Sequence, residues 1–180
     1  MKKILFLLLL STGVASAAPS MTAEYHITEN LNTGATGALY LVGGSNQISK
    51  NLRGDVLTIT SQADATGALG QRIEGGLTYR PTTWSYVRAA TGQRFSNTGN
   101  NTYYSVEPGL THSVDQFRFR VGYRIRDAVN PDNYGNQTEK TMRYRVGYAV
   151  TKKDTVNFGI DRTSGDVNSR SVIFSYSRQF

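Results

Sequence analysis

The segment 117–126, which reads FRFRVGYRIR, constrains the fold more than any other part of the chain. Its odd positions are apolar or aromatic, and its even positions carry four arginines and one glycine. Successive side chains of a β-strand point to opposite faces, so the pattern predicts a strand with one apolar face and one basic face. The fold must give each of these faces a suitable environment.

The same period of two recurs along the rest of the chain and indicates an all-β protein. No helical period appears after residue 17, and no segment has the composition of a linker. We therefore expect a single antiparallel domain of about ten strands, within a range of eight to twelve. Eight would apply if the weakly patterned second and third segments were not both regular. The ten segments are 22–30, 37–44, 55–61, 71–80, 84–93, 102–111, 117–126, 140–150, 155–162 and 170–180.

The N-terminus has the composition of a secretory signal peptide. Lys2 and Lys3 precede an apolar run at 4–10, and the small residues at 15–17 form a cleavage pattern. The run is too short to cross a bilayer as a helix. These features predict a signal peptide at 1–17 and one domain at 18–180. The chain has no cysteine, which excludes disulfides and thiolate metal sites.

The connections between the predicted strands alternate in character. Those at 63–70, 94–101 and 127–138 are longer, whereas those at 81–83, 113–115 and 151–154 are tight. Long loops at one end and short turns at the other are typical of an outer-membrane β-barrel. The mean hydropathy of −0.39 does not argue against one, because alternating strands average out.

The last residues of the chain favour the same interpretation. Val172, Phe174, Tyr176 and Phe180 share one parity and resemble the C-terminal signature for outer-membrane insertion by the barrel-assembly machinery. We therefore expect a transmembrane antiparallel β-barrel in the outer membrane of a Gram-negative cell, with its apolar face on lipid. The alternative is a soluble secreted β-sandwich, in which the apolar faces would pack together and the arginines would face water.

In a barrel, the basic face lines the lumen. Glu74, Glu107 and Asp161 share that face, so the arginines could form ion pairs that plug a narrow barrel. The arginines outnumber these carboxylates on neighbouring strands, which favours an anion-binding track, because guanidinium groups bind carboxylates bidentately. The predicted lumen-lining, solute-binding residues are Arg72, Arg88, Arg118, Arg120, Arg124, Arg126, Arg143 and Arg145.

Two segments resemble a known family. The segment 102–126, TYYSVEPGLTHSVDQFRFRVGYRIR, combines a tyrosine-rich strand, a Glu-Pro-Gly step, a short turn and an arginine-alternating strand. Together with 142–162 and the final strand, it resembles the oligogalacturonate-specific porin family. The resemblance implies a monomeric outer-membrane barrel with a basic lumen for acidic oligosaccharides, lined by the arginines at 118–126 and 143–145. That family has about two more strands, which implies a narrower barrel here.

These observations predict a passive channel for anionic solutes, with no cofactor, no metal and no catalytic activity. A surface-interaction barrel with a plugged lumen is the alternative. An outer-membrane enzyme is disfavoured: His112 falls at a predicted periplasmic turn, and His26 has only Glu24 and Thr28 nearby at the same parity. No zinc spacing or phosphate-binding loop is present. Nucleic acid is not expected as a partner, because the chain is exported.

Overall fold

The chain forms a closed β-barrel of ten antiparallel strands, in a computed structural model that describes residues 19–63, 69–96, 99–129, 138–165 and 168–180. Each strand pairs with its neighbours in sequence, and β1 pairs with β10 to close the barrel. The described residues include no helix long and apolar enough to cross a membrane, a finding that does not bear on crossing by strands. The strands are β1 (Ser20–Asn30), β2 (Thr36–Ser49), β3 (Leu52–Ala63), β4 (Leu69–Tyr79), β5 (Ser85–Ser96), β6 (Gly99–Val114), β7 (Phe117–Ala128), β8 (Glu139–Ala149), β9 (Asp154–Gly165) and β10 (Ser169–Gln179).

The predicted all-β barrel and its count of ten strands are confirmed. The two weakly patterned segments belong to the regular strands β2 and β3, which excludes the count of eight. The soluble β-sandwich is wrong, because the strands form one closed sheet and not two packed sheets. The predicted signal peptide at 1–17 lies outside the described residues, so it stays a prediction.

One predicted connection is wrong. The segment 94–101 was expected to be a long loop, yet β5 continues to Ser96 and β6 begins at Gly99. Arg94 pairs with Asn101, so the polar composition of this segment reflects a strand that extends past the apolar part of the wall. Only residues 97–98 lie between the two strands.

The two ends of the barrel are distinguished by their connections. We call the end with the connections at 50–51, 80–84, 115–116 and 150–153 the turn end; both ends of the described chain lie there. We call the opposite end, with the connections at 31–35, 64–68, 97–98, 129–138 and 166–168, the loop end. In the two-residue turn at 115–116, Asp115 adopts a φ of 51°, a conformation that aspartate tolerates better than most residues.

The outer wall is apolar and aromatic, as the alternating pattern predicts. On β7 the outward residues are Phe117, Phe119, Val121, Tyr123 and Ile125, and each is at least 36% exposed. The C-terminal residues Phe174, Tyr176 and Phe180 are likewise exposed on the outside, and Val172 shares their face. A continuous outward apolar surface on a closed barrel is the arrangement that a bilayer requires.

Three strands depart from the rule that apolar side chains point outward. Leu41 on β2, Ile59 on β3 and Ile173 on β10 are buried inside the barrel, and Ile173 is fully inaccessible. A barrel of this size is narrow enough for side chains to fill its interior. One side of the lumen is therefore packed with apolar groups, and the charged residues of β4 to β9 face them.

Candidate functional site: the barrel lumen

All eight predicted arginines lie on lumen-facing positions of their strands. The register places Arg120 directly opposite Arg145, and Arg143 opposite Gly122. The two arginine-rich strands therefore form one basic surface. Arg53 and Arg94, on β3 and β5, share the lumen face, and Arg80 follows β4 at the turn end. These three were not predicted, although Arg53 and Arg94 have the same parity as the lumen residues of their strands.

A first group of ion pairs lies on β3, β4 and β5. Arg88 donates to Asp55 Oδ2 at 2.6 Å, and its Nη1 lies 2.8 Å from Glu74 Oε1. The hydroxyl of Tyr103 donates to the other oxygen of Glu74 at 2.9 Å. Arg88 and Glu74 are both buried. This arginine is therefore held by two carboxylates and has no free face toward a solute.

A second group of ion pairs surrounds Glu107, whose residue is only 2% exposed. Arg143 donates to Glu107 Oε2 at 2.7 Å, and Arg120 lies 3.4 Å from Oε1. The hydroxyl of Tyr86 also donates to Oε1, at 2.7 Å. Three donors from three different strands thus converge on one carboxylate, which makes Glu107 the centre of this group.

The second group continues to β9 through Asp161. Arg145 donates to Asp161 Oδ1 at 2.5 Å, and Arg143 Nε lies 3.3 Å from Oδ2. Arg143 therefore bridges Glu107 and Asp161. We call the two groups together the lumen network, formed by Asp55, Glu74, Tyr86, Arg88, Tyr103, Glu107, Arg120, Arg143, Arg145 and Asp161.

Lumen-facing glycines make room for this network. A Cβ atom added at Gly122 would lie 2.4 Å from the Tyr86 hydroxyl and 2.8 Å from Glu107 Oε1. One added at Gly76 would lie 2.5 Å from Arg88 Nη2, and one at Gly159 would lie 2.4 Å from Arg145 Cδ. Long side chains from neighbouring strands therefore lie across these glycines. The glycine in FRFRVGYRIR leaves space for Tyr86 and Glu107, and these groups, not a solute, occupy it.

The lumen at the loop end is basic and aromatic. The guanidinium groups of Arg72 and Arg126 lie 5.6 and 5.1 Å from the ring centroid of Tyr103. Arg126 also pairs with Glu139. Arg72 and Arg94 form no ion pair with any described residue. The cavity bounded by these groups has a volume of about 20 Å³, room for roughly one water molecule.

The lumen at the turn end carries a second cluster of unpaired arginines. Arg53 donates to Ser20 Oγ at 2.8 Å and also to Ser45. Arg53, Arg80 and Arg118 have no carboxylate within ion-pair distance among the residues that the structure describes. Between the two ends, Arg124 has only a 3.5 Å hydrogen bond to Thr141, and its buried Nε has no partner.

The structure thus divides the predicted arginines into two sets. Arg88, Arg120, Arg126, Arg143 and Arg145 form ion pairs, whereas Arg72, Arg118 and Arg124 form none with the described residues. The ion pairs weighed as the alternative exist: Glu74, Glu107 and Asp161 all pair with arginines. A comparison of the numbers of arginines and carboxylates on adjacent strands underestimated this pairing. Glu107 and Asp161 each contact two guanidinium groups, and Arg143 on β8 reaches across β7 to Glu107 on β6. Asp55, Glu139, Tyr86 and Tyr103 were missed, although strand parity places them inside.

The histidines lie apart from the lumen network. His26 is buried on the lumen face, and its Nε2 lies 2.9 Å from Glu24 Oε2. His112 is exposed near the turn end. No serine or threonine hydroxyl hydrogen bonds to either histidine within the described ranges, and no group of acidic or histidine residues there could hold a metal ion.

Comparison with solved structures gives the same barrel fold. The structure matches a KdgM porin in complex with disordered oligogalacturonate with a TM-score of 0.50 and 8% sequence identity, over 89% of this chain and 99% of that one. It matches an outer-membrane channel from Pseudomonas putida F1 with a TM-score of 0.55 and 9% identity, over 93% and 97% of the two chains. Neither family models nor curated protein sequences gave a match to this chain.

A third match limits what this likeness says about function. The translocator domain of the autotransporter NalP from Neisseria meningitidis has a TM-score of 0.54 and 6% identity, over 94% of this chain and 90% of that one. Barrels described as a porin, a channel and a translocator domain are thus similar to the same structure. The likeness shows the fold. Any function must be argued from the lumen itself.

Proposed function

We propose that this protein is an outer-membrane barrel that conducts anionic solutes by passive diffusion. The observation that supports this proposal is the distribution of unpaired arginines. Arg72 and Arg94 lie in the lumen toward the loop end, and Arg53, Arg80 and Arg118 lie at the turn end. The paired arginines Arg88, Arg120, Arg143 and Arg145 lie between them, and the fifth, Arg126, pairs with Glu139 at the loop end. Both openings of the lumen therefore carry positive charge that no described carboxylate neutralises.

This distribution suits an anion path. Unpaired guanidinium groups at an opening raise the local concentration of anions, and several weak sites in sequence let an anion bind and leave. In the middle of the lumen, the carboxylates of Glu74, Glu107 and Asp161 are engaged by arginines, and that of Glu24 contacts His26. Arg124, between the two ends, adds a guanidinium group that forms no ion pair with any described residue.

Acidic oligosaccharides are the solute class that we propose for this path. Planar guanidinium groups bind the carboxylates of such sugars bidentately, and the aromatic rings of Tyr86 and Tyr103 lie beside them. The matched KdgM porin is described in complex with oligogalacturonate. Because the lumen network fills the middle of the barrel, we expect small anions to pass more readily than oligosaccharides.

We propose that the signal peptide at 1–17 directs export, and that the barrel-assembly machinery recognises the C-terminal strand. The barrel then stays in the outer membrane as a monomer surrounded by lipid. We propose no cofactor and no catalytic activity, since the lumen chemistry consists of ion pairs and unpaired arginines.

A plugged barrel is the second candidate, and the burial of the lumen network favours it. Glu107 and Glu74 are 2% and 3% exposed, values typical of a protein core. If this network never opens, the barrel would serve as a membrane-anchored surface protein, with its function in the loop-end connections.

Single-channel recording in planar bilayers separates the two candidates. A channel should conduct with a reversal potential that indicates anion selectivity in a salt gradient. The triple variant Arg118→Ser, Arg120→Ser, Arg124→Ser should lose most of this selectivity. The matched control is Arg162→Ser, Arg170→Ser, Arg178→Ser, which removes the same charge from outward positions and should change selectivity little. A barrel that inserts without conducting would support the plugged candidate, and cation selectivity would contradict the proposal.

A further inference from the structure

The Glu107-Pro108-Gly109 step interrupts the wall of the barrel. β6 and β7 pair regularly from Tyr103 to Val106 and again from Gly109 to Val114, but Glu107 and Pro108 have no partner in the ladder. Proline has no backbone N–H, so it cannot donate to a neighbouring strand and is rare inside sheets. The wall between β6 and β7 is therefore weaker here than on either side.

The lumen side of this interruption is closed by the ring of Tyr86. A Cβ atom added at Gly109 would lie 2.3 Å from Tyr86 Cζ, and one added at Gly122 would lie 2.4 Å from its hydroxyl. The ring is also covered by Arg120, whose guanidinium carbon lies 4.0 Å from the ring centroid. Tyr86 is thus fixed behind the unpaired step on the lumen side, where its hydroxyl donates to Glu107 Oε1.

The outer side of the interruption is an open apolar groove. Its volume is about 440 Å³, within the range of ligand-binding pockets. It extends from Pro81, at the turn end, past Pro108 to Met142 on β8. Leu110, Val121 and Tyr123 form its outward-facing sides, and the ring of Tyr86 contributes to its floor. The groove therefore belongs to the outer wall of the barrel.

We propose that this groove binds one acyl chain of a phospholipid from the leaflet at the turn end. An open, elongated apolar groove on an outward-facing wall fits a flexible acyl chain, which can follow the groove along its length. The groove begins beside the turn at 80–84, where Trp84 is 59% exposed. Tryptophan is enriched at the boundary between the headgroups and the hydrocarbon, so a lipid anchored there could extend its chain along the groove. The inference shares only the membrane location with the proposed function and does not depend on conduction.

Photo-crosslinking tests this site directly. The full mature chain would be reconstituted in phosphatidylcholine vesicles that contain a small fraction of phosphatidylcholine with a diazirine on its acyl chain. After irradiation, lipid adducts are mapped on peptides by mass spectrometry. We expect at least about three-fold more adduct at Val121, Tyr123 and Met142 than at Val146 and Phe158, outward residues that do not line the groove. An even distribution around the barrel would overturn the proposal.

A matched pair of variants sharpens the test. Val121→Trp fills the groove and should reduce its adducts to the level of the rest of the wall. Val146→Trp changes a valine of nearly equal exposure, 39% against 40%, and should leave the groove adducts unchanged. If Val121→Trp does not fold, as judged by unboiled gel mobility, the map of the unsubstituted protein alone decides.

Other outcomes identify what has failed. A chain that does not insert into vesicles would overturn both this site and the membrane location in the proposed function. Insertion with an even adduct map would overturn the groove site alone. Fewer lipid adducts at Val121 and Tyr123 than at Val146 and Phe158 would show that something other than lipid covers this wall, and would also overturn the groove site.

Discussion

The carboxylate of Glu107 occupies the space that Gly122 leaves on the neighbouring strand. Together with the Tyr86 hydroxyl, Glu107 lies so close to Gly122 that even a methyl group would collide with both. A glycine in the middle of a basic strand therefore has a packing role. It allows a carboxylate from β6 to reach Arg143 on β8 across β7.

The first prediction concerns that contact. Gly122→Ala should lower the free energy of unfolding by about 1–3 kcal/mol, because overpacking forces Tyr86 and Glu107 from their positions. Gly75→Ala is the matched control, since an added Cβ there meets no atom within 4 Å. The free energies of unfolding of both variants would be measured by urea titration of vesicle-inserted protein, with the gel mobility of unboiled samples as the readout. Equal stability of the two variants would contradict the packing role.

The second prediction concerns the charge of Glu107. Glu107→Gln should lower the free energy of unfolding by about 1–3 kcal/mol, because Arg143 and Arg120 would lose a shared buried carboxylate. It should also increase anion selectivity in bilayer recordings, since the positive charge of the lumen rises. The control is Glu29→Gln, which breaks an exposed ion pair with Arg170 and should lower the free energy of unfolding by about 0–1 kcal/mol. If Glu107→Gln lowers the free energy of unfolding no more than Glu29→Gln does, the contacts of Glu107 with Arg143 and Arg120 contribute little to stability.

The third prediction uses two adjacent tyrosines on opposite faces of β6. Tyr103→Phe removes the hydroxyl that donates to buried Glu74, and Tyr104→Phe removes an exposed hydroxyl that lies 3.3 Å from Asp127 Oδ2. We expect Tyr103→Phe to lower the free energy of unfolding by about 1–3 kcal/mol, because a buried carboxylate loses a hydrogen-bond donor. Tyr104→Phe should lower it by only about 0.1–0.5 kcal/mol, because its hydroxyl is exposed to solvent. Parallel urea titrations would measure the difference, and a reversed order would mean that the lumen assignment of Tyr103 is wrong.

The fourth prediction concerns assembly. Phe180→Ser should reduce the fraction of folded, heat-modifiable barrel in cells while leaving the stability of protein refolded in vitro little changed. Phe117→Ser, a similarly exposed outward residue, should assemble at the normal level. If both variants assemble equally well, Phe180 is not part of the insertion signal.

The fifth prediction concerns export. Mass spectrometry of protein purified from the outer membrane should find a mature chain that begins at Ala18. A chain that retains residues 1–17 would contradict the predicted cleavage.

Much of the fold followed from strand parity. Alternation in β6, β7 and β8 predicted which residues face outward and which face the lumen, because adjacent side chains on a strand must point in opposite directions. β2 and β3 were harder, because Leu41 and Ile59 point inward beside polar outward residues such as Thr58 and Thr60. The alternation of apolar and polar residues is weak when a narrow lumen is itself partly apolar.

The sequence by itself determined the barrel, a count of about ten strands and the lumen position of the eight arginines. It did not determine which arginines are paired. That depended on the register that brings Arg88 to Asp55 and Glu74, and on the glycines that let Arg143 reach Glu107 across β7. An ion pair in a barrel lumen depends on the distance between side chains on strands that are far apart in sequence. Only the closed tertiary structure brings these arginines and carboxylates together.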